Sequence, residues 1–370
     1  MPLSLTIKQV EGKPGQVYYP LHLTDNSIPT PGPAQLLIKL SAAALNHRDL
    51  FIRQHLYPGI SFTHPLLSDG YGTVTALGAS CSPTSHTLLN KPVLLTPLRG
   101  WLSDPLGPED NGARYAVIGG AAQYDVGTAQ EYVLVDEDEV IAAPGHLSAA
   151  EGAALPLVGL TAWRALVSKS GNAQAGRNIL ITGIGGGVAL QALQFAVAMG
   201  VNVFVTSGDS GKIARAREMG AVGGVVYRDA DWDKQLKALL PSDRPYLDAV
   251  IDGAGGDVVA RTVKLLKSGG VIVVYGMTVG PKMDWSMLAV LKNVELKGST
   301  MGSRREFVDM IDFVREKGIR PVVSRVVVGL GNLEAIDGLF DDMKAGRQFG
   351  KLVIQIDGAA EGGRESPAKL

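Results

Sequence analysis

The stretch that decides the fold is Asn178-Ile-Leu-Ile-Thr-Gly-Ile-Gly-Gly-Gly-Val-Ala-Leu-Gln-Ala192. It joins an apolar run of strand length, a glycine cluster and an apolar run of helical length. A strand that enters such a turn directs backbone N–H groups and a helix N-terminus toward one point, which suits a pyrophosphate. The stretch therefore predicts a dinucleotide-binding loop, with Gly183, Gly186, Gly187 and Val188 as cofactor contacts.

The glycine cluster does not match the strict G-x-G-x-x-G spacing, so an ordinary tight turn is the alternative. Repeated βα units favour the cofactor loop. Predicted strands are the apolar runs 178–182, 201–206, 223–227, 247–252, 271–275 and 294–298. Predicted helices are the segments 188–199, 210–219, 231–240, 257–266 and 303–317. Continuously apolar strands separated by helices predict a parallel sheet that is covered on both faces.

The first third of the chain is rich in proline, glycine and short β-like runs, and it contains a long predicted loop over residues 98–123. Its predicted strands are 35–41, 71–78 and 130–135, and β-like runs return at 322–328 and 351–356. The fold class is therefore α/β, a Rossmann doubly wound parallel sheet plus a mainly β domain. The predicted domains are 1–146 with 321–357, then 147–320, followed by a polar tail at 358–370.

The composition excludes several classes of protein. The net charge of −1 gives no electrostatic basis for binding nucleic acid. The one cysteine, Cys81, cannot form an intrachain disulfide or a cysteine-rich zinc lobe. Residues 178–208 carry no charge, but glycines interrupt them, so no membrane span is expected. No signal peptide is expected at the N-terminus, and the predicted location is the cytoplasm.

The second strand of the predicted cofactor domain ends at Ser207-Gly208. An NAD site usually has an acidic residue at this point for the ribose hydroxyls, but here the nearest acid, Asp209, lies further along. Lys212 and Arg215 follow in the next helix, and a hydroxyl with nearby cations suits a 2′-phosphate. The sequence therefore predicts NADP(H), with Ser207 and Lys212 as contacts. The alternative is that both cations belong to a solvated helix face.

Several further motifs occur in a fixed order along the chain. They are Ala44-Leu-Asn-His-Arg-Asp, Tyr57-Pro-Gly, Ser68-Asp-Gly-Tyr-Gly, Gly127-Thr-Ala-Gln-Glu-Tyr-Val, Leu160-Thr-Ala-Trp and Phe349-Gly-Lys-Leu-Val. Together with the glycine cluster, they resemble the medium-chain dehydrogenase/reductase superfamily in its zinc-free, quinone oxidoreductase-like branch. The resemblance implies a GroES-like β catalytic domain, an inserted Rossmann domain and a cleft between the two. It also implies a homo-oligomer, dimer or tetramer.

The sequence departs from the zinc-dependent members of that superfamily. It has Asn46 where their first cysteine ligand is expected, and Leu67-Ser-Asp-Gly where Gly-His-Glu-Gly is expected. No cysteine lies near residues 157–161, and the four-cysteine structural lobe is missing. No metal site is therefore expected. Without zinc to acidify an alcohol, hydride transfer to an activated acceptor is the easier chemistry, because it requires only hydrogen-bond donors.

The resemblance implies two catalytic candidates. Tyr57 would donate a hydrogen bond or a proton to the carbonyl of an apolar small-molecule acceptor, either a quinone or an α,β-unsaturated carbonyl compound. Asn46 would donate its amide to the same oxygen or to the nicotinamide ribose. The alternatives are that Tyr57 packs the rim of the cleft and that Asn46 caps local backbone.

The resemblance also implies cofactor contacts outside the glycine cluster. Thr161, Gly276 and Met301 would lie near the nicotinamide, and Tyr227 near the adenosine phosphate. Two other functions stay open: a protein that binds NADPH without turnover, and, less favoured, an alcohol dehydrogenase. The C-terminal Ala368-Lys369-Leu370 is close to the peroxisomal address Ser-Lys-Leu, so binding by a peroxisomal import receptor is a further hypothesis, with coincidence as its alternative.

Overall fold

The structure is a computed structural model that describes residues 1–280 and 282–357. Its strands are β1 (Leu3–Ile7), β2 (Leu21–Asp25), β3 (Gln35–Ala44), β4 (Asp69–Leu77), β5 (Pro92–Leu95), β6 (Leu98–Arg99), β7 (Ala116–Val117), β8 (Tyr132–Asp136), β9 (Val140–Ala142), β10 (Asn178–Ile181), β11 (Asn202–Ser207), β12 (Gly223–Val226), β13 (Leu247–Asp252), β14 (Leu266–Val274), β15 (Glu295–Gly298), β16 (Val323–Val328) and β17 (Lys351–Gln355).

The helices of the same residues are α1 (His47–Arg53), α2 (Pro83–His86), α3 (Ala149–Ala153), α4 (Pro156–Trp163), α5 (Gly187–Ala198), α6 (Ser210–Glu218), α7 (Trp232–Leu239), α8 (Val258–Thr262), α9 (Met287–Leu291), α10 (Arg304–Lys317) and α11 (Leu333–Lys344). Among these residues, no helix combines the length and the apolar character that a membrane crossing needs.

Six parallel strands form the sheet of the cofactor-binding half, in the order β12-β11-β10-β13-β14-β15. Apolar side chains cover both faces: Phe195 and Phe307 lie in the core on one side, and Phe204 and Leu236 in the core on the other. The predicted doubly wound parallel sheet is confirmed. The strand order reverses between β10 and β13, and in such sheets ligands bind at that point, beyond the carboxyl ends of the strands.

The mainly β half is built on a second sheet, in the order β16-β17-β3-β4-β5-β9, with β8 also paired to β3. Its central strand β3 pairs antiparallel with β4, β8 and β17. The late strand β17 therefore lies inside a sheet whose other members, apart from β16, come from residues 35–142. Ile38 and Phe340 lie in the core of this half.

The C-terminal stretch differs from its β-like expectation. Between β16 and β17 the chain forms the twelve-residue helix α11, which makes the parallel crossover that these two strands require. Its buried residues Ile336, Leu339, Phe340 and Met343 recur at helical spacing, and the side chain of Asn332 accepts the Ala335 N–H at its start. The helix α1 and the β1–β2 hairpin were also not predicted. The predicted helix 257–266 is shortened to α8, because β14 already begins at Leu266.

Candidate active site

A cleft of about 1200 Å³ lies between the two halves. It extends over the carboxyl ends of β10 and β13 and is bounded on the other side by the β3–α1 connection and the start of β17. All twelve predicted catalytic and cofactor-binding residues line it: Asn46, Tyr57, Thr161, Gly183, Gly186, Gly187, Val188, Ser207, Lys212, Tyr227, Gly276 and Met301. The structure therefore brings together residues that are widely separated in sequence, while their individual roles stay predictions.

The β10–α5 turn has the backbone shape of an anion-binding loop. Gly183 has a φ of 65°, in the left-handed region, and a methyl group placed there would meet no atom within 4 Å. Gly187 is restricted for another reason, because a methyl group there would lie 2.9 Å from both Lys351 Cδ and Val158 Cγ1. Gly186 precedes α5, and the first N–H groups of a helix have no partner within the helix, so they suit a pyrophosphate.

The carboxylate nearest to the tip of β11 is that of Asp209, which follows the strand. Asp209 caps α6, where its Oδ1 atom accepts the N–H groups of Gly211 at 2.7 Å and Lys212 at 3.4 Å. Tyr227 and the exposed Arg228 lie over Gly208: a methyl group there would be 2.8 Å from the Tyr227 hydroxyl and 3.1 Å from Arg228 Nε. This end of the cleft therefore offers a hydroxyl and a cation beside the carboxylate of Asp209.

Lys212 reaches the cleft, but its ammonium has partners. Its Nζ donates to the carbonyl oxygens of Gly346 at 2.6 Å and Gln348 at 2.9 Å. Burial lowers the pKa of Lys212. Arg215 lies with its guanidinium 3.9 Å from the centroid of the Phe349 ring. Both cations thus attach α6 to the segment between α11 and β17, and the 2′-phosphate role of Lys212 stays a prediction.

At the opposite end of the cleft, the hydroxyl of Thr161 lies 2.7 Å from the carbonyl oxygen of Leu157 and 3.6 Å from the Met301 sulfur. Gly276 follows β14 and lines the same region. Asp252, at the end of β13, accepts the Thr182 hydroxyl at 2.5 Å. This contact joins the two strands at which the sheet order reverses.

Asn46, Asp69 and Lys351 form a buried network next to the cleft. The Lys351 ammonium donates to Asn46 Oδ1 at 2.6 Å and to Asp69 Oδ2 at 2.8 Å. The Asn46 amide donates to Asp69 Oδ2 at 2.9 Å, while Asp69 Oδ1 accepts the Leu157 N–H at the start of α4, at 2.7 Å. The side chain of Asn46 is therefore held by tertiary contacts.

Tyr57 lies against Arg48, whose guanidinium carbon is 4.7 Å from the centroid of the tyrosine ring. Arg48 Nη1 donates to Ser68 Oγ and to the carbonyl oxygens of residues 118 and 119, but its Nε and Nη2 have no hydrogen-bond partner in the described part of the chain. Burial raises the pKa of the neighbouring Asp49 to about 6, against the lowering effect of Arg48. The Asp49 carboxylate accepts the Asn46 N–H at 2.7 Å.

The donor atoms near Asn46 do not fit a catalytic zinc. Zinc in such sites takes thiolate, imidazole and carboxylate ligands. Here the carboxylate of Asp69 is bound by an ammonium and two N–H groups, and Asn46 supplies an amide. Cys81 lies elsewhere, with its sulfur 3.4 Å from the Gln35 carbonyl oxygen. Within residues 1–280 and 282–357, no group of three or more His, Cys, Asp or Glu side chains could hold a metal ion.

The cleft residues that sequence reasoning missed include His47, Arg48, Arg228 and Lys351. Burial lowers the pKa of His47, whose ring packs edge-on against Phe51. His47, Arg48 and Lys351 belong to quoted motifs and Arg228 follows Tyr227, so a signal was present for all four. Their contacts depend on chain segments that are far apart in sequence.

Comparison with known proteins gives consistent matches. A family model described as an alcohol dehydrogenase GroES-like domain matches residues 32–145, and one described as a zinc-binding dehydrogenase matches residues 187–316. The zinc-type alcohol dehydrogenase-like protein YogA of Leptosphaeria maculans is 60% identical over 96% of this chain and 100% of its own length. A zinc-type alcohol dehydrogenase-like protein of Schizosaccharomyces pombe is 29% identical, over 88% of this chain and 92% of its own.

A solved structure described as an NAD-dependent alcohol dehydrogenase is 29% identical, with a TM-score of 0.80, and the match covers 96% of this chain and 100% of that one. The two sheets, the cleft between them and these relatives agree on the type of protein. The chain belongs to the medium-chain dehydrogenase/reductase superfamily, as an oxidoreductase with a GroES-like domain and a Rossmann domain.

Proposed function

We propose that this protein is a zinc-independent, NADPH-dependent reductase of activated carbonyl acceptors, either quinones or α,β-unsaturated carbonyl compounds. The proposal includes membership of the zinc-free, quinone oxidoreductase-like branch and the division of the chain at residues 146 and 320. The observation that carries it is the Asn46–Asp69–Lys351 network. Its oxygen atoms are bound by an ammonium and amide groups, where an alcohol dehydrogenase needs metal ligands.

When bound, the reduced nicotinamide supplies the hydride. The chain's own task is to hold the acceptor and to stabilise the negative charge that develops on its oxygen. Two groups in the cleft are suited to this. Asn46 Nδ2 has a second N–H besides the one given to Asp69, and the Tyr57 hydroxyl can donate a hydrogen bond or a proton. The positive charge of Arg48 beside Tyr57 favours an anionic oxygen.

The preference for NADPH rests on the tip of β11. Asp209 Oδ1 accepts the N–H groups at the start of α6, so this oxygen is not available to the ribose hydroxyls that an NAD site binds. Tyr227 and the exposed Arg228 supply a hydroxyl and a cation at the same end of the cleft, while the Ser207 hydroxyl donates to the Ile184 carbonyl oxygen at 3.4 Å. The relative described as NAD-dependent makes a direct comparison of the two cofactors necessary.

The test is loss of nicotinamide absorbance with purified, chelator-treated protein. The acceptor panel contains ortho- and para-quinones, 2-enals, enones, enoyl thioesters and simple aldehydes, each with NADPH and with NADH. We expect turnover of quinones or enones with NADPH that the chelator does not change.

Other outcomes contradict the proposal in distinct ways. Turnover restricted to simple aldehydes or alcohols and lost with the chelator would establish a metal-dependent alcohol dehydrogenase, as the names of the relatives suggest. Saturable NADPH binding with no acceptor consumed would establish a cofactor-binding protein without turnover. Tighter binding of NADH than of NADPH would overturn the cofactor preference.

Peroxisomal import through Ala368-Lys369-Leu370 stays a hypothesis, because this tripeptide lies outside the described residues. The test is the location of the tagged protein with and without Leu370. Unchanged location after the deletion would contradict the hypothesis.

A further inference from the structure

Lys351 is a lysine with 4% exposure at the first position of β17. Its ammonium donates to three oxygen atoms: the Leu45 carbonyl at 2.7 Å, Asn46 Oδ1 at 2.6 Å and Asp69 Oδ2 at 2.8 Å. These three acceptors match the three N–H bonds of an ammonium group. A buried lysine whose three N–H bonds all donate to protein oxygen atoms has a defined orientation, and so do the groups that it contacts.

The group that Lys351 orients is the amide of Asn46. Lys351 holds the oxygen of this amide, and Asp69 Oδ2 accepts one N–H of its nitrogen at 2.9 Å. A flipped amide would place its NH₂ group against the ammonium and its oxygen against the carboxylate, so only one orientation is favourable. The second N–H of Asn46 has its direction set in this way, and Asn46 borders the cleft.

Lys351 also contacts the cofactor-binding loop. A methyl group at Gly187 would lie 2.9 Å from Lys351 Cδ, so the side chain covers the start of α5. The adjacent Gly350 donates its N–H to the Gly185 carbonyl oxygen at 3.0 Å. The side chain that orients Asn46 is therefore attached to the loop predicted to hold the pyrophosphate.

We propose that Lys351 is a positioning residue for the reduction: it fixes the Asn46 amide so that its free N–H binds the oxygen of the acceptor. This rests on the proposed function. Lys351 acts on the acceptor through Asn46. Its ion pair with Asp69 prevents an unpaired buried charge.

The first test is a double-mutant cycle with Asn46→Ala and Lys351→Met. Both Lys351→Met variants leave the Asp69 carboxylate without its cation, so this effect is common to the two and cancels when they are compared. If Lys351 acts through Asn46, its replacement lowers kcat about tenfold when Asn46 is present and not at all when Asn46 is alanine. Equal losses in both backgrounds would overturn the proposal. The NADPH Kd and the Tm of each variant identify losses that come from damage to the fold.

The second test does not require turnover. The carbonyl stretch of 2-cyclohexen-1-one is recorded by infrared difference spectroscopy on the protein saturated with NADP⁺. We expect a shift to lower frequency on binding that is reduced in Lys351→Ala and restored by propylammonium, which replaces the atoms that alanine lacks. Tetramethylammonium has the charge but no N–H bond, so it should not restore the shift.

A carbonyl stretch that does not shift in the unmodified protein, or that is the same in Lys351→Ala, would overturn the role of Lys351. Lack of turnover with every acceptor in the panel would overturn the proposed function. The two failures are therefore distinguishable.

Discussion

Arg228 and Lys212 lie at the same end of the cleft but have different surroundings. Arg228 is exposed over Gly208, whereas the Lys212 ammonium is bound to two carbonyl oxygens. We predict that Arg228→Ala raises the Kd of NADPH about tenfold, the effect of losing one hydrogen bond to a charged group, and leaves the Kd of NADH unchanged. Fluorescence titration with both cofactors measures this. An equal loss for both would contradict the prediction.

Lys212→Met is the matched comparison. Because Lys212 holds the segment before β17 in place, its loss should weaken both cofactors alike. A loss confined to NADPH would instead assign the 2′-phosphate contact to Lys212, as the sequence alone predicts.

Tyr57 packs against Arg48 and borders the cleft. If its hydroxyl donates the proton, Tyr57→Phe should lower kcat about 100-fold, because general acid catalysis contributes at least that much. The ring remains, so the NADPH Kd should stay the same. Tyr124→Phe is the control, since the Tyr124 hydroxyl bonds to the Arg114 carbonyl oxygen at an exposed site. Unchanged turnover in Tyr57→Phe would leave Tyr57 as a packing residue at the rim.

Single residues show what sequence could and could not indicate. Asn46 and Tyr57 could be selected as candidate catalytic residues from the local motifs that contain them. The partners of Asn46 could not, because Lys351 lies 305 positions further along the chain. A lysine at the start of an apolar strand gives no local signal that it is buried, since only the tertiary fold brings Asp69 to it.

At the scale of elements, the β10–α5 turn needs glycine for two different reasons: the left-handed φ of Gly183 and the close packing around Gly187. We predict that Gly187→Ala raises the Kd of NADPH and NADH alike by about tenfold, because a methyl group 2.9 Å from Lys351 Cδ and Val158 Cγ1 displaces the start of α5. Isothermal titration calorimetry with each cofactor measures both Kd values.

Gly171→Ala is the control for backbone strain. Gly171 has a φ of 62° with no atom within 4 Å of an added methyl group, so alanine there costs about 1 kcal/mol of stability without changing the cleft. If both variants lost cofactor affinity equally, general destabilisation would explain the result and the packing argument would fail.

Predictability at this scale depends on how an element is stabilised. The strands β10, β11 and β13 were predictable, because strands buried on both faces require continuous apolar runs. Helix α11 was missed although Ile336, Leu339 and Met343 have helical spacing, since β-like runs on both sides dominated the interpretation. Helix α1 spans only seven residues, too few for a clear periodicity.

At the scale of the whole molecule, the edge of the six-stranded sheet favours a second copy of this chain. Within the described residues, β15 pairs only with β14. Next to it, Met287, Leu291 and Val290 of α9 are 69%, 74% and 54% exposed. An unpaired strand beside exposed apolar side chains is a typical association surface. In an antiparallel pair of β15 strands centred on Leu296, Glu295 of each copy would lie opposite Lys297 of the other.

We therefore predict a dimer in light scattering after size-exclusion chromatography, and a shift toward monomer for Leu291→Glu. Ile28→Glu, at a residue that is 52% exposed in the other half, should not change the mass. A monomer in the unmodified protein, or a dimer that is unaffected by Leu291→Glu, would contradict this surface.

The position of β17 inside the seven-stranded sheet has a consequence for synthesis of the protein. A ribosome makes β3 more than three hundred residues before β17, which pairs with it. The six-stranded sheet, whose last strand along the chain is β15, can close while residues 299–370 are still to be translated. The half of the molecule that is made first is therefore completed last. Until Lys351 has left the ribosome, the Asp69 carboxylate has no cationic partner. Nascent chains that stop short of β17 would expose the edge of β3 and become substrates for chaperones or proteases.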